Sequence, residues 1–535
     1  MCPKMPLAAL GLLCVGLPLA AQPNVLTWKY NNTRLGVNST ETTLTTANVN
    51  SSSFGLLFHI YPNEGKPDPQ PLYVANLAIP GKGTRNVLFI ETEKDYAFAY
   101  DADTGQQLWK VSVLLPGESP SDARGVGSVT PVIGVTSTPV IDLAMGPHGT
   151  EYLIAMSIDA SSNYHHRLHA LDITTGAEQF NGPVEIAATY PGTGPYSVNG
   201  VLTFDAAWLK EQAALTLVNG TVVTTWSSQD DTPPYNGWVI GYNEATLAQT
   251  QVLCLTPNGK SGSIWMARAG PSVDSSNNIY MLVANGTFDT KLNAQGFPSM
   301  QDYGNSILKM SISGSTYAIS DYFAMYDVTY EVNHDLDLGS GGLMLLPTLT
   351  DVNGVPRNLV IGAGKDMTIY LADTTNLGKF NSKADQIYQE VPDAYMGIEY
   401  ASPTYFNGNL FYATTKDVLR VFQVKNAKIV PTPVATSKNA LQLQGANLVV
   451  SANGATQGIL WAVENQGNAT QVLHAYNADT FTNGVLTELY NSTQAANNRD
   501  GFGVGDHFVT PMVINGKVYA GSANGIGVFG LLSGK

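Results

Sequence analysis

A repeated unit is the sequence feature that most constrains the fold of this chain. A short apolar segment rich in strand-forming residues recurs eight times, at intervals of 49 to 80 residues. Several copies follow an Asn-Gly pair, which is the strongest short-range signal for a β-hairpin. Because one such unit cannot bury its apolar face alone, neighbouring units must stack. The eight segments are centred on Leu88, Leu153, Val223, Tyr280, Val360, Phe411, Leu460 and Val518.

A second element of the unit is an Asp-rich turn after the third strand. It is clearest in Ala99–Trp109 (AYDADTGQQLW) and in Ala170–Phe180 (ALDITTGAEQF). The aspartate accepts backbone N–H groups and the glycine supplies a positive φ. Four strands per unit and eight units predict an all-β fold, an eight-bladed β-propeller of four-stranded antiparallel blades.

The sequence also predicts the extent of the domain and the structure of two segments outside the eight units. We expect a single domain over residues 22–535, since stacked repeats share one core. The segment Phe54–Ile60 has no hairpin partner, and we expect it to supply the outer strand of the last blade and close the ring. Residues 205–215 (DAAWLKEQAAL) are the one candidate for a short helix.

Composition excludes several classes of protein. With 44% hydrophobic and 13% charged residues, the chain is too apolar for disorder. Its formal charge of -15 repels phosphate backbones, so we expect no nucleic-acid partner.

The first 21 residues are typical of a secretory signal peptide. Lys4 precedes an apolar run from Leu7 to Leu19, and Ala20-Ala21 offers a small-residue cleavage site. No later apolar run reaches the length of a membrane span. The sequence therefore predicts a secreted or periplasmic protein without a membrane span, whose only cysteine after cleavage is Cys254.

The unit Ala-x-Asp-x-x-Thr-Gly-x-x-x-Trp at Ala99–Trp109 resembles the tryptophan-docking repeat of the pyrroloquinoline quinone (PQQ) dehydrogenases and their non-catalytic relatives. Those proteins are eight-bladed propellers. The resemblance runs thinly from about residue 70 to 530 and is dense only between Trp265 and Tyr412. In that stretch His334-Asp335-Leu336-Asp337 resembles the Trp-Asp-x-Asp segment that opens a blade in the alcohol-oxidising members.

The resemblance implies four site residues. Lys365 takes the place of the basic residue that hydrogen-bonds the quinone carbonyls. Asn285 takes the place of an amide ligand to calcium, and Trp265 that of the tryptophan beneath the quinone. Asp302 matches the catalytic carboxylate. These residue types suit the oxidation of an alcohol by a quinone. Oxygen donors such as an amide bind Ca²⁺, and a carboxylate can remove the hydroxyl proton. A flat aromatic ring can hold the cofactor, and a cation can stabilise negative charge on the quinone oxygen.

The departures from the family pattern concern the same site. Ser161 stands where the calcium glutamate is expected, and the vicinal cysteine pair is absent. Glu399 replaces an asparagine and Met367 replaces a glycine. The calcium site implied by the resemblance therefore lacks its main carboxylate, for which Glu399 is the candidate substitute.

Each candidate also has a purely structural interpretation. Asn285 suits a strand-ending turn, Trp265 suits blade packing, Lys365 suits a solvated surface and Asp302 suits the capping of a turn. Asp335 and Asp337 lie on one side of an extended segment, where they could bind a hard cation or hydrogen-bond backbone amides.

Two functions remain open at this stage. The first is an exported binding or scaffold module with a degenerate quinoprotein site, which holds a small molecule, a glycan or a protein at its funnel or loop face. The second is a dehydrogenase dependent on PQQ and Ca²⁺ that oxidises an alcohol, polyol or sugar. A third class, a lyase or hydrolase acting on glycans, has no motif to support it.

Overall fold

The computed structural model describes residues 23–124 and 129–533, and the predicted signal peptide lies outside the described residues. Within these ranges the chain forms 41 strands, one α-helix at Val328–Asn333 and 3-10 turns at Met266–Arg268, Leu338–Ser340 and Ala496–Asn498. No helix in the described part is long and apolar enough to cross a membrane.

Each of the eight repeated segments is a strand, as the sequence predicts, and each is the second strand of a group of antiparallel strands.

The first three sheets have these bounds. The first comprises Leu72–Ile79, Gly83–Glu91, Tyr96–Asp101 and Gln107–Ser112. The second comprises Val140–Asp142, Thr150–Ile158, Tyr164–Asp172 and Val184–Glu185, extended by Ser119–Asp122 and Val132–Ile133. The third comprises Leu209–Glu211 with Thr216–Val218, then Thr221–Ser228, Trp238–Asn243 and Gln249–Cys254.

The next two sheets continue the same order. One comprises Ser272–Val273, Ile279–Val283, Ser306–Ser313 and Thr316–Phe323. The other comprises Leu343–Leu345, Leu359–Ala363, Ile369–Asp373 and Gln389–Val391. Two small ribbons lie outside these sheets, Thr189–Pro191 with Val201–Thr203 and Leu349–Thr350 with Pro356–Arg357.

A larger sheet holds the next two groups of strands, which a single parallel pair, Thr436 with Val485, joins at their edges. The first group is Thr404–Phe406, Asn409–Tyr412, Val418–Lys425 and Ala435–Ala440, with Lys428–Ile429 beside it. The second is Val449–Asn453, Thr456–Glu464, Val472–Thr482 and Val485–Asn491, with Val37–Asn38 parallel to its first strand.

The last sheet combines both ends of the described chain. Met512–Ile514, Lys517–Ser522 and Gly525–Leu531 form three of its strands, and Phe54–Ile60 is the fourth. Phe54 pairs with Leu531 and Ile60 pairs with Ile526, in antiparallel register. The ring of Phe54 packs among Trp461, Tyr490 and Phe529, so this strand also joins the core of the neighbouring sheet.

The Asp-rich turns have the predicted geometry. The Oδ1 atom of Asp101 accepts hydrogen bonds from the backbone N–H groups of Asp103 and Thr104, at 2.9 and 3.0 Å. Gly105 follows with a φ of 73°, which only glycine adopts without cost.

The helix predicted at residues 205–215 is wrong. Leu209–Glu211 is a strand paired with Trp226–Ser228 of the adjacent strand. All three residues of this strand are buried, and tertiary pairing overrides the local helix propensity of alanine and leucine.

An N-terminal segment with several turns, Val25–Asn38, was not anticipated from the sequence. Residues of this segment form hydrogen bonds with the first strands of successive sheets. The backbone of Val25 pairs with Tyr73, the carbonyl of Leu26 accepts from Ile141, and that of Thr33 accepts from Leu345. Further bonds of the same kind join Asn32 to Val273, Gly36 to Val450, Arg34 to Thr216 and Asn38 to Val513.

The order of the strands places two kinds of connection at one end of the sheets. In an antiparallel meander, the connection between the second and third strands lies at the same end as the connection that leaves the fourth strand. We call this end the loop face. Its connections include residues 229–237, 255–271, 284–305, 324–342, 364–368 and 392–403.

Candidate functional site

A cavity of about 190 Å³ lies on the loop face, and we call it the Lys365 cavity. Connections from three consecutive sheets meet there, because each contributes a loop at the same end of its strands. The lining residues are Asp230, Asp231, Ser263, Trp265, Ala284, Asp337, Ser340, Lys365 and Tyr400.

Lys365 lies between two carboxylates at the centre of this site. Its Nζ atom is 2.9 Å from Oδ2 of Asp335 and 3.3 Å from Oδ2 of Asp337. Its backbone N–H also donates to the Asp337 carbonyl at 3.0 Å. Burial lowers the pKa of Lys365, but the two aspartates outweigh it and the net shift is upward. The ammonium group therefore stays charged.

The two aspartates differ in their surroundings. The side chain of Asp335 is 71% exposed and that of Asp337 only 10%. Burial raises the pKa of Asp337 to about 6, although Lys365 and the backbone N–H of Asn285 both favour its charged form. Asp337 is thus the aspartate whose charge depends on Lys365.

Asn285 completes this cluster through hydrogen bonds to both aspartates. Its backbone N–H donates to Oδ1 of Asp337 at 2.5 Å and its Nδ2 donates to Oδ1 of Asp335 at 2.8 Å. Its Oδ1 atom is buried without a hydrogen-bond partner. The predicted proximity of Lys365 and Asn285 arises through Asp335 and Asp337, which contact both residues.

Trp265 forms an aromatic wall of the same cavity. Its ring centroid lies 5.9 Å from that of Tyr400 and 4.9 Å from that of Phe508, in edge-to-face arrangements. The next three residues, Met266 to Arg268, all have positive φ, between 48° and 69°. Such residues cost about 1–2 kcal/mol each and concentrate at functional sites. The turn is held by Arg268, which donates to the carbonyl and Oδ1 of Asp68 at 2.6 and 2.9 Å.

Asp302 is not among the residues that line this cavity. It is buried, and its Oδ1 accepts the backbone N–H of Asn258 at 2.9 Å. Burial raises the pKa of Asp302 to about 6, and the backbone hydrogen bonds from Asn258 and Gly259 oppose that rise. The structure therefore brings Trp265, Asn285 and Lys365 together and places Asp302 as the support of another loop.

Two charged cavity residues were not singled out from the sequence. Asp230 and Asp231 lie in the connection between the second and third strands of their sheet. They carry no motif, and their one signal is their place in the repeat, since such connections reach the loop face. Tyr400, which follows Glu399, stands where the family segment has a tryptophan.

The donor set does not fit a calcium ion. Four aspartates lie at or beside the cavity, and two of them, Asp335 and Asp337, already form ion pairs with the ammonium group of Lys365. Ser161, at the place of the family's glutamate, is exposed, and its N–H donates to Oδ1 of Asp159. Glu399 is fully buried, accepts the N–H of Ala401 and does not line the cavity; burial raises its pKa to about 8. In the described ranges no group of three or more His, Cys, Asp or Glu side chains is arranged to hold a metal.

The fold is that of a β-propeller similar to those of the PQQ dehydrogenases. No protein-family profile matches the sequence, and no curated protein matches it. Solved structures do match it over most of its length, and the resemblance to the PQQ enzymes is confirmed at the level of the fold.

Three of these structures illustrate the likeness. The quinohemoprotein alcohol dehydrogenase from Comamonas testosteroni has 12% sequence identity and a TM-score of 0.59, with 96% of this chain and 81% of that chain covered. The quinohemoprotein alcohol dehydrogenase ADHIIG from Pseudomonas putida HK5 has 13% identity and a TM-score of 0.55, with coverages of 96% and 81%. A europium-containing methanol dehydrogenase has 12% identity and a TM-score of 0.55, with coverages of 93% and 89%.

Proposed function

We propose that this chain is an eight-bladed, ligand-binding propeller of the quinoprotein type that holds a small polar molecule in the Lys365 cavity. The observation that carries the proposal is the position of the Lys365 ammonium group between Asp335 and Asp337. Trp265 and Tyr400 provide flat apolar surfaces, and the charged groups provide directional hydrogen bonds. Pockets that combine these two kinds of surface bind small molecules.

The charges around the cavity argue against quinone chemistry. Asp230 and Asp231 line it together with Asp337, and Asp335 lies beside Lys365. PQQ is itself a polycarboxylate, so these aspartates repel it unless a metal ion intervenes. Because Lys365 is engaged by Asp335 and Asp337 and the described residues form no group arranged to hold a metal, we assign the site to binding rather than to oxidation.

Calorimetric titration tests this proposal against the dehydrogenase alternative. The purified chain is titrated with PQQ in the presence of CaCl₂ and again after removal of calcium. We expect no calcium-dependent binding. Saturable binding that requires calcium and is lost in Lys365→Ala, but not in the exposed control Lys383→Ala, would overturn the proposal. Dye-linked oxidation of ethanol, glycerol and glucose would then measure the alcohol, polyol or sugar dehydrogenase activity.

A thermal-shift screen identifies the ligand class. Amino acids, polyamines and neutral sugars are compared on the wild-type chain, Lys365→Ala and Lys383→Ala. We expect a ligand of this cavity to stabilise the wild-type and Lys383→Ala proteins and to leave Lys365→Ala unchanged. A compound that stabilises all three proteins equally binds elsewhere.

We also propose that the chain is exported, on the strength of the signal-like residues 1–21. Expression in a bacterial host with fractionation of the cells tests this. We expect the processed chain in the periplasm or the medium with Gln22 at its N-terminus. An unprocessed chain confined to the cytoplasm contradicts it.

A further inference from the structure

A second and larger cavity, of about 530 Å³, lies on the loop face, and we call it the Tyr196 cavity. Three chain segments form it: the tip at residues 162–164, residues 196–209 between two sheets, and the connection at residues 234–238. None of its lining residues belongs to the Lys365 cavity.

The lining combines aromatic rings with uncharged polar groups. The rings are those of Tyr164, Tyr196, Phe204, Tyr235 and Trp238. The polar side chains are those of Ser162, Asn163, Thr203 and Asn236. Among the described residues that line the cavity, Asp205 is the only one with a charge, and its Oδ1 accepts the N–H of Ala207 at 3.0 Å.

The segment that carries Tyr196 is held against a neighbouring loop. The N–H of Thr193 donates to Oδ1 of Asn258 at 3.0 Å, and the N–H of Gly194 donates to the carbonyl of Pro257 at 3.1 Å. A Cβ atom at Gly194 would lie 2.3 Å from the carbonyl oxygen of Gly259, so only glycine permits this approach. The cavity wall is thus built in advance of any ligand, which lowers the entropic cost of binding.

Tyr164 on the opposite wall is also fixed. The guanidinium carbon of Arg124 lies 4.1 Å from the centre of the Tyr164 ring and 4.6 Å from that of Trp208. Arg124 in turn donates to the carbonyl of Ala207 at 3.0 Å. The cation lies behind the aromatic wall and is not part of the lining.

We propose that the Tyr196 cavity binds a neutral oligosaccharide. A sugar ring presents an apolar C–H face, which suits the rings of Tyr196 and Tyr164, and an edge of hydroxyl groups, which suits the amide and hydroxyl side chains. A phosphorylated or sulfated ligand finds no lysine or arginine among the described lining residues. A lipid chain would desolvate the exposed side chains of Ser162 and Asn163 without replacing their hydrogen bonds to water.

The cavity adjoins the Lys365 cavity through one hydrogen bond. The hydroxyl of Tyr235, which lines the Tyr196 cavity, donates to Oδ1 of Asp231 at 2.8 Å, and Asp231 lines the Lys365 cavity. Since the two cavities are neighbours, a tetrasaccharide is a better probe than a monosaccharide.

Calorimetric titration of the full chain with cellotetraose, xylotetraose and maltotetraose tests the proposal, with tetragalacturonate as the anionic comparison. We expect saturable binding of at least one neutral tetrasaccharide. Tyr196 is half-buried and packs against the edge of a core cluster, so the fold of each variant is checked by circular dichroism. Tyr196→Ala should weaken binding by about tenfold or more, because it removes one aromatic face, and Tyr196→Phe should retain most of it. Tyr326→Ala, a change at a tyrosine that is 50% exposed and outside the cavity, should leave it unchanged.

Three results would overturn the proposal. One is the absence of saturable binding by any neutral tetrasaccharide at concentrations of about 5 mM, which corresponds to a binding free energy weaker than about -3 kcal/mol. The second is equal affinity in Tyr196→Ala and the wild-type protein, with both proteins folded by circular dichroism. The third is tighter binding of tetragalacturonate than of any neutral sugar.

Discussion

The ammonium nitrogen of Lys365 lies 3.3 Å from Oδ2 of Asp337, and that carboxylate also accepts the backbone N–H of Asn285. This contact joins residues from two connections that are separate in the sequence. It gives the cavity a charged pair of which one member is buried. The charge on Asp337 therefore affects the stability of the loop face, so the strength of the ion pair can be measured by unfolding experiments.

Replacement of Lys365 by methionine should destabilise the chain more at high pH than at low pH. The folded pKa of Asp337, about 6, is above its ordinary value of 3.8, so its ionisation already opposes folding as the pH rises between these values. Without Lys365 that pKa rises further. We expect a loss of about 2 kcal/mol in the free energy of unfolding near pH 8 and a smaller loss near pH 4.5. Urea titration measures it, with Lys383→Met as control; an equal loss at both pH values contradicts the coupling.

Asp302 should behave as the support of a loop. Asp302→Asn keeps an oxygen that accepts the Asn258 N–H, so we expect its stability near pH 7 to equal or exceed that of the wild type, since it removes a buried charge. Asp302→Ala leaves that N–H unpaired and should cost about 1–2 kcal/mol. Urea unfolding of both variants decides this. A loss in the asparagine variant as large as that in the alanine variant would show that the charge, which both variants remove, is itself needed.

Arg34 should be a main determinant of stability. It is fully buried and donates to the Pro271 carbonyl, Oγ1 of Thr27, the Trp28 carbonyl and Oγ1 of Thr216, at 2.8 to 3.0 Å. Arg34→Met leaves these acceptors without partners, and we expect a loss of about 3 kcal/mol. Arg85→Met is the matched control, since the side chain of Arg85 is 43% exposed. Thermal unfolding compares the two; equal midpoints would refute a stabilising role of the N-terminal segment.

His474 should make stability depend on pH. Its Nδ1 lies 2.7 Å from Oε1 of Glu488 and its Nε2 lies 3.0 Å from Oε2 of Glu464. Burial alone would lower the pKa of His474, but the two carboxylates outweigh it and the pKa is raised above its ordinary value of 6.5.

A raised histidine pKa stabilises the folded state below pH 6.5, and this contribution is lost as the pH rises through the folded value. His474→Gln should therefore cost about 2 kcal/mol near pH 6 and less near pH 9. Melting temperatures across this range, with His334→Gln as control, measure the effect. A constant difference between His474→Gln and the wild type would exclude a charged His474.

The strands could be predicted because their signals are local. The segment around Leu88 combines alternating β-formers with flanking turn residues, and the turn at Asp101 needs only its own side chain and Gly105. The N-terminal segment could not be predicted in this way. Arg34 bonds to Thr216 and Pro271, which lie some 180 and 240 residues away, and no local pattern encodes such partners.

The candidate site was predicted in part. Trp265, Asn285 and Lys365 could be chosen because their local sequences resemble known motifs, and Asp335 and Asp337 could be recognised as a pair of carboxylates. Asp302 was chosen on the same kind of resemblance with a one-residue gap, and it supports the loop at Asn258 instead. Asp230 and Asp231 carry no motif, and only their position on the loop face brings them to the cavity.

The sequence by itself determined the β-rich repeat, its turns and the identity of most candidate side chains, because hydrophobic alternation and turn chemistry act over a few residues. Only the tertiary structure decided which of these side chains meet. Convergence on the loop face depends on the stacking of whole sheets, and the pairing of Lys365 with Asp337 depends on the approach of two connections. Those distances follow from the packing of the entire chain, so no segment of the sequence contains them.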